Sequence, residues 1–276
     1  MKNICGWFGV TPQAHYQMRR RQHAQQHVED QILTLVQGWR QKHKRMGTRK
    51  LLHNLQAELA VAGIQIGRDK LFDLLRREGL LVSRKRRQHR TTWSGLWRCD
   101  NLLAQMTVTQ PNQAWVSDIT YVETEQGFAY LALVTDLFSR RIVGFDLCDS
   151  LAVEGALRAF NMAAQLAGRQ QLQGLIHHSD HGVQYTCHAY RNRLQRSGVK
   201  SSMGEVGNCY DNAVAERVNG ILKLEYGLDE RFVSLAQARQ AVKEAVWLYN
   251  HERPHLSLNM DTPDKVYHNG LQSAVN

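Results

Sequence analysis

At 276 residues and 43% hydrophobic, the chain suits two modules, one about twice the size of the other, with a proper core. No apolar run is long enough to span a bilayer, and Met1 to Val10 lacks the features of a secretory signal. A cytoplasmic protein without membrane contact is expected. Charge is unevenly spread: residues 1–100 carry 20 Lys/Arg against 7 Asp/Glu, while residues 101–276 carry 15 against 18. Such a basic first third points to nucleic acid, with a soluble basic surface as the bland alternative.

The first predicted segment, 1–27, holds Ile4 to Thr11 and Arg19-Arg20-Arg21. It reads weakly as the end of a helix-turn-helix element begun upstream. His23 and His27 have a ligand-like spacing, but no cysteine pair follows to complete a zinc site. Cys5, Cys99, Cys148, Cys187 and Cys209 are scattered and odd in number, the usage of reduced thiols.

Residues 28–82 form a small all-α, helix-turn-helix-like domain. Val28, Ile32, Leu35, Val36 and Trp39 recur at helical spacing over 28–42. After Gly47, Thr48 is placed as the N-cap of a second helix carrying Leu51, Leu52, Leu55 and Leu59, which Gly63 ends. A third helix, Arg68 to Glu78, turns Leu71, Leu74 and Leu75 inward and closes at Gly79. It is either a groove-facing helix or part of a spacer. Over 83–110 periodicity is lost. The run Arg84-Lys85-Arg86-Arg87 repels itself into an exposed stretch, read as phosphate contact or as a solvated linker.

From 111 to 230 the texture becomes α/β. Strands are expected at Ala114 to Val122, Phe128 to Thr135 and Arg141 to Leu147, joined by short turns into a meander. A helix over 151–167, a strand at Leu175 to His178, a helix over 186–196, a strand at Val199 to Met203 and a helix from Asp211 to Tyr226 follow. This order, βββαβαβα, is ribonuclease H-like, with a mixed five-stranded sheet. A last helix, Leu235 to Asn250, and a proline-containing tail fill 231–276.

Three carboxylates stand out. Asp118 interrupts an aromatic and β-branched strand, where a charge is costly unless paired. Asp180 follows the fourth strand. Glu216 lies on the Asp211 helix, whose apolar stripe is Val214, Val218, Ile221 and Leu222 and whose opposite stripe is Asn212, Glu216, Asn219 and Lys223. Carboxylates without a Cys or His ligand pattern suit Mg²⁺, and two such ions serve phosphodiester chemistry. Asp136 is a fourth acid, better read as a turn residue, and Asp211 as an N-cap. His177, His178, His181 and His188 look like a metal cluster but read better as flanking Asp180. Trp247 and Tyr249 read as packing, with base stacking as the alternative for Tyr249.

These residues carry a resemblance. Over about 111–265 the chain resembles the integrase core of DDE transposases, closest to the IS-three insertion-sequence family, which splits its enzyme over two reading frames. The matching stretches are Trp115 to Tyr121, Tyr130-Leu131, Asp136 with Ser139-Arg140, His178 to Gly182, Gly207 to Ala213 through Glu216, Leu222-Lys223 with Glu225, and Tyr249-Asn250 with Arg253-Pro254-His255. Residues 28–90 resemble the family's preceding helical domain around Gly47 to Lys50 and Gly79-Leu80. Gly204-Glu205-Val206 and Val218 depart from the family, which has a serine with basic residues and a large aromatic residue at those places.

The resemblance implies metal-dependent cleavage at the 3′ end of an element and strand transfer. Asp118 would bridge two Mg²⁺ ions, Mn²⁺ substituting, with Asp180 and Glu216 each holding one. Lys223 joins them either by holding end DNA or by attraction to Glu216. Arg84, Lys85, Arg86, Arg87, Asn212 and Lys223 are the candidate DNA contacts. Implied partners are element-end and target DNA, an upstream-frame (OrfA-like) protein or frameshift fusion, and further copies of the chain on DNA. The rivals are a ribonuclease H-like nuclease without strand transfer and an inactive DNA-binding remnant.

Overall fold

A computed structural model describes residues 11–82, 97–204 and 212–273. The chain divides into two compact units, Met1–Ser83 and Arg84–Asn276. The basic run Arg84 to Arg87, Asp211 and the stretch Gly207 to Tyr210 lie outside the described residues.

The first unit packs three helices, α1 (Pro12–Lys42), α2 (Thr48–Val61) and α3 (Arg68–Arg77). Ile32, Val36, Leu51, Leu55, Leu59, Leu71, Leu74 and Leu75 form its core with Met46 and Ile64. The helix expected over 28–42 begins instead at Pro12, where the Thr11 hydroxyl accepts the Ala14 N–H at 3.1 Å and Pro12 fits the first turn. Residues 16–28 are exposed on every side, so they carry no apolar period to read. A second correction concerns Thr48. Gly47 holds the N-cap position, and Thr48 is the first helical residue. Gly63 and Gly79 close α2 and α3 alike, both left-handed, while Ile64 and Leu80 donate back to the carbonyls of Leu59 and Leu75.

The second unit is built on one sheet, ordered β3-β2-β1-β4-β5. Its strands are β1 (Ala114–Thr124), β2 (Gly127–Asp136), β3 (Ile142–Cys148), β4 (Ile176–Ser179) and β5 (Lys200–Met203). The first three form the expected antiparallel meander, and β4 and β5 run parallel to β1. Asp136 makes the β2–β3 turn, accepting the Ser139 N–H and hydroxyl at 2.8 and 2.6 Å and the Asn112 N–H at 2.8 Å. It is a turn residue, spent on the fold.

Helices cover both faces. On one side lie α4 (Val153–Ala167), the short α5 (Val183–Thr186), α6 (His188–Arg196) and α9 (Pro263–Ser273). Trp115, Ile119, Val134 and Phe160 are central to that core. α4 approaches β3 so closely at Gly144 that a Cβ there would sit 2.0 Å from the Ala159 carbonyl oxygen. On the other side α7 (Ala213–Tyr226) and α8 (Leu235–His251) pack Val218, Ile221, Leu222, Val242 and Tyr249 against Leu131, Leu133 and Val122.

The tail holds the unexpected element. α9 docks through buried Tyr267, whose hydroxyl meets the Asn112 side chain at 3.0 and 3.1 Å. Gly270 lies on Pro111, with no room for a Cβ. Only Pro263 and Tyr267 of α9 are buried, and left-handed Asn259 and Met260 precede it. So narrow an apolar stripe after chain breakers is a weak helical signal.

Candidate active site

The pairing of β1 with β4 builds the site. The strands run parallel with Ser117 opposite Ser179, so Asp118 and Asp180, one residue further on, are neighbours. Asp118 turns toward the α7 face. One of its oxygens accepts the Ile119 N–H at 2.8 Å, and the other accepts the Asn219 amide at 2.7 Å. Burial, and then the nearby Asp180 charge, still push its carboxyl up to about 7, and Glu216 adds to the rise.

Asp180 is held by a local turn. Its Oδ1 accepts the Gly182 N–H at 2.9 Å. A Cβ on Gly182 would itself come within 2.9 Å of that oxygen, so a side chain at 182 would push the carboxylate from this position. Glu216 projects from the first turn of α7 and is exposed. Among the described residues no three His, Cys, Asp or Glu side chains are gathered closely enough to hold an ion. The three carboxylates are electrostatic neighbours, not a closed ligand set. Their chemistry nonetheless fits a hard cation. The donors are all oxygen, and burial together with the Asp180 charge raises the Asp118 carboxyl to about 7, a balance that a cation would reverse.

The histidines do not form a metal cluster. His177 is buried, its Nε2 2.8 Å from the Ser117 hydroxyl and 2.9 Å from the Tyr190 hydroxyl, and burial lowers its pKa to about 3. His178 pairs with the Ser202 hydroxyl at 2.9 Å, and His181 donates to the Gly204 carbonyl at 2.6 Å. Exposed His188 meets Asn192 at 3.2 Å.

The structure places two of the candidate DNA contacts. Asn212, a candidate DNA contact, is buried, and its amide donates to the Ser117 carbonyl at 3.1 Å. It is spent on joining α7 to β1, because the stripe read as polar faces the strand as well as solvent. Lys223 lies with its ammonium 3.7 Å from the Tyr121 ring centroid. Its pKa is lowered by burial, with Asp118 and Asp229, not Glu216, as the opposing charges. The ring contact near Asp118 bears on both roles expected of Lys223, holding end DNA or attraction to Glu216, and both stay open.

Several matching motif residues prove structural. Tyr249 is fully buried and donates to the Arg140 carbonyl at 3.0 Å, which removes it as a base-stacking surface. The Asn250 amide pairs with both backbone groups of Ile142. Arg253 and Glu225 form a two-pronged ion pair, both contacts 2.8 Å. Val218 points into the α7–α8 core, so its departure from the family bears on packing. Sequence patterns gave no role to Asn219 or to Tyr185. The latter's hydroxyl is buried without a hydrogen-bond partner among the described residues, with Asp118 and Asp180 as charged neighbours.

Two models of the integrase core domain match, over residues 108–209 and 197–263. A 31 kDa protein of insertion element IS600 from Shigella sonnei is 37% identical over 267 residues, 94% of this chain and 96% of the relative. The transposase of insertion sequence IS629 from the same organism is 32% identical, over 91% of this chain and 85% of its own length. The chain belongs to the insertion-sequence transposases. InsF, the transposase of insertion sequence IS3A in Escherichia coli K12, is also 32% identical over the same shares. The integrase catalytic core of HTLV-2, solved with magnesium, has 20% identity and a TM-score of 0.45, over 58% of this chain and 98% of that one. A transposase is a polynucleotidyl transferase, and its reaction is phosphoryl transfer on DNA. No described helix of this transposase is long and apolar enough to cross a membrane.

Proposed function

We propose that this transposase cleaves the 3′ ends of its element and transfers them to target DNA in a reaction that depends on divalent metal, with Asp118, Asp180 and Glu216 as its ligands. The observation that carries the reading is Asp118, a part-buried carboxylate beside Asp180 whose carboxyl is pushed up to about 7. An acid placed so expensively in a strand is explained by a cation that is expected there. Mg²⁺ is the natural occupant, with Mn²⁺ as a substitute. When bound, two such ions activate the attacking oxygen and stabilise the leaving one.

The residues of the chain supply the rest. The Ile119 N–H and the Asn219 amide orient Asp118 without neutralising it. The Gly182 turn aims Asp180. Glu216, exposed in the first turn of α7, would supply the third carboxylate. The division into 28–82, 83–110, 111–230 and 231–276 belongs to this proposal, with residues 12–27 joined to the helical domain through α1 in place of a separate segment 1–27. Within it the helical domain and Arg84, Lys85, Arg86 and Arg87 grip the DNA backbone. Cytoplasmic location, an upstream-frame partner and assembly of several copies on DNA complete it.

A strand-transfer assay on labelled element-end DNA with Mg²⁺ or Mn²⁺ tests the reading. Joined products are expected. Cleavage without joining would favour a nuclease, and neither product a remnant that only binds DNA.

A further inference from the structure

We propose that Asn219 positions the Asp118 carboxylate and, with Asn212, fixes the helix carrying Glu216 against the strand carrying Asp118. The inference rests on the metal-site reading above and assigns work to two residues outside the carboxylate set.

Asparagine is a poor residue for a helix interior, and burying its amide is unfavourable unless it is bonded. Asn219 is nonetheless mid-helix and only 5% exposed, and it donates to Asp118 Oδ2 at 2.7 Å. Asn212 lies seven residues earlier, two turns away on the same side of α7. It stands at the N-cap position yet makes no side-chain cap bond. Its amide reaches across to the Ser117 carbonyl instead, at 3.1 Å. The two amides thus bracket Asp118, one taking the backbone just before it and the other its carboxylate.

Glu216 lies between them, three residues before Asn219, on the same side of the helix. Whatever fixes the rotation of α7 about its axis therefore fixes the direction of Glu216. The choice of amide also matters chemically. A lysine or arginine at 219 would supply the positive charge that the site reserves for a cation. An amide orients the carboxylate, leaves its charge in place, and leaves the oxygen a second lone pair. Partners that hold ligands in this way ordinarily tune metal affinity strongly.

The test uses the full chain without DNA, titrated with Mn²⁺ by calorimetry, together with hydrogen exchange along α7. Asn219→Leu should weaken Mn²⁺ binding by about ten- to a hundredfold. Asn219→Ala, which adds no bulk, should do the same if the leucine variant does not fold. In an Asp118→Asn background the further loss from Asn219→Ala should vanish, since the residue acts through Asp118. Without metal, backbone exchange over Ala213 to Asn219 should speed up in both Asn212→Ala and Asn219→Ala. Mn²⁺ affinity within about twofold of wild type in a folded Asn219 variant would overturn the positioning role, as would full additivity in the double variant. Unchanged exchange would overturn the helix-fixing role. If Asp118→Asn itself binds Mn²⁺ like wild type, the metal-site reading fails. The exchange result then decides separately whether the two amides hold the helix.

Discussion

Residues 117 and 118 are neighbours on β1, yet they face opposite sides of the sheet and meet opposite solutions to the same problem. On the α4 side, Ser117, His177 and Tyr190 form a closed group in which the imidazole lies within hydrogen-bond reach of two hydroxyls. Phe160 and Tyr185 pack around it. Burial strips His177 of its charge, so the group is neutral at any physiological pH. On the α7 side, burial and a second aspartate raise the Asp118 carboxyl to about 7 while two amide donors oppose the rise. A satisfied neutral network stabilises a fold. A carboxylate kept part-way to its charge marks a place where something outside the chain supplies the balance.

The largest effect separates the two faces outright. Asp118→Asn, Asp180→Asn and Glu216→Gln should each abolish joining while circular dichroism stays native, because each keeps shape and removes metal-binding charge. Near-normal joining by any one of them would mean that residue is misassigned. The matching change on the other face is His177→Leu. It strands two buried hydroxyls and should cost about 2 to 4 kcal/mol of stability. Mn²⁺ affinity of the folded fraction should be unchanged. A variant as stable as wild type in denaturant melts would show that the neutral network contributes nothing to the fold.

The same contrast sets how much was legible beforehand. Asp118 was visible because an acid in the run Trp115 to Tyr121 violates the strand's own composition. The meander, the two short later strands and the helix carrying Glu216 were visible because strand-like and helix-like patterns alternate along the chain, whereas the parallel pairing of those strands leaves no local pattern. Asn219 and Asn212 were placed on the correct stripe of that helix, but Asn219 was given no role and Asn212 was assigned to DNA. A one-dimensional period tells which residues share a side, not what that side packs against. His177 was read as flanking Asp180 because sequence proximity hides the alternation that turns it into the opposite core. The Arg253–Glu225 pair and the docking of α9 join residues far apart in the chain, for which local patterns have no signal.

Acidity sharpens the comparison further. The Asp118 carboxyl lies at about 7 in the fold and near 3.8 without it. The folded chain therefore holds this proton longer than the unfolded one. Its contribution to the stability of the metal-free protein is present below pH 3.8 and is lost as pH rises through 7. A cation must displace the same proton, so Mn²⁺ affinity should fall below pH 7, by up to about tenfold per unit. Titrations near pH 6 and pH 8 check this, and equal affinities at the two would contradict it. His177, already neutral across that range, should add nothing to the slope.

The smallest expected effect concerns Lys223, which sits on the Asp118 face without belonging to the carboxylate set. Two roles compete for it, holding a phosphate of the element end or tuning the metal ligands. Its ammonium rests on the Tyr121 ring, and a cation on a ring face keeps N–H donors for an anion. Asp118 is among the charges that act on Lys223, and that attraction is mutual. The N–H donors that the ring contact leaves over suit the DNA role. Lys223→Ala should then weaken binding of pre-cleaved ends, lower the salt slope by about one unit and slow joining, while Mn²⁺ affinity holds. Lys223→Arg should recover part of the loss, since charge survives but the planar fork does not match an ammonium. End-DNA affinity equal to wild type together with an altered Mg²⁺ requirement would reverse the assignment, making Lys223 an adjunct of the Asp118 carboxylate.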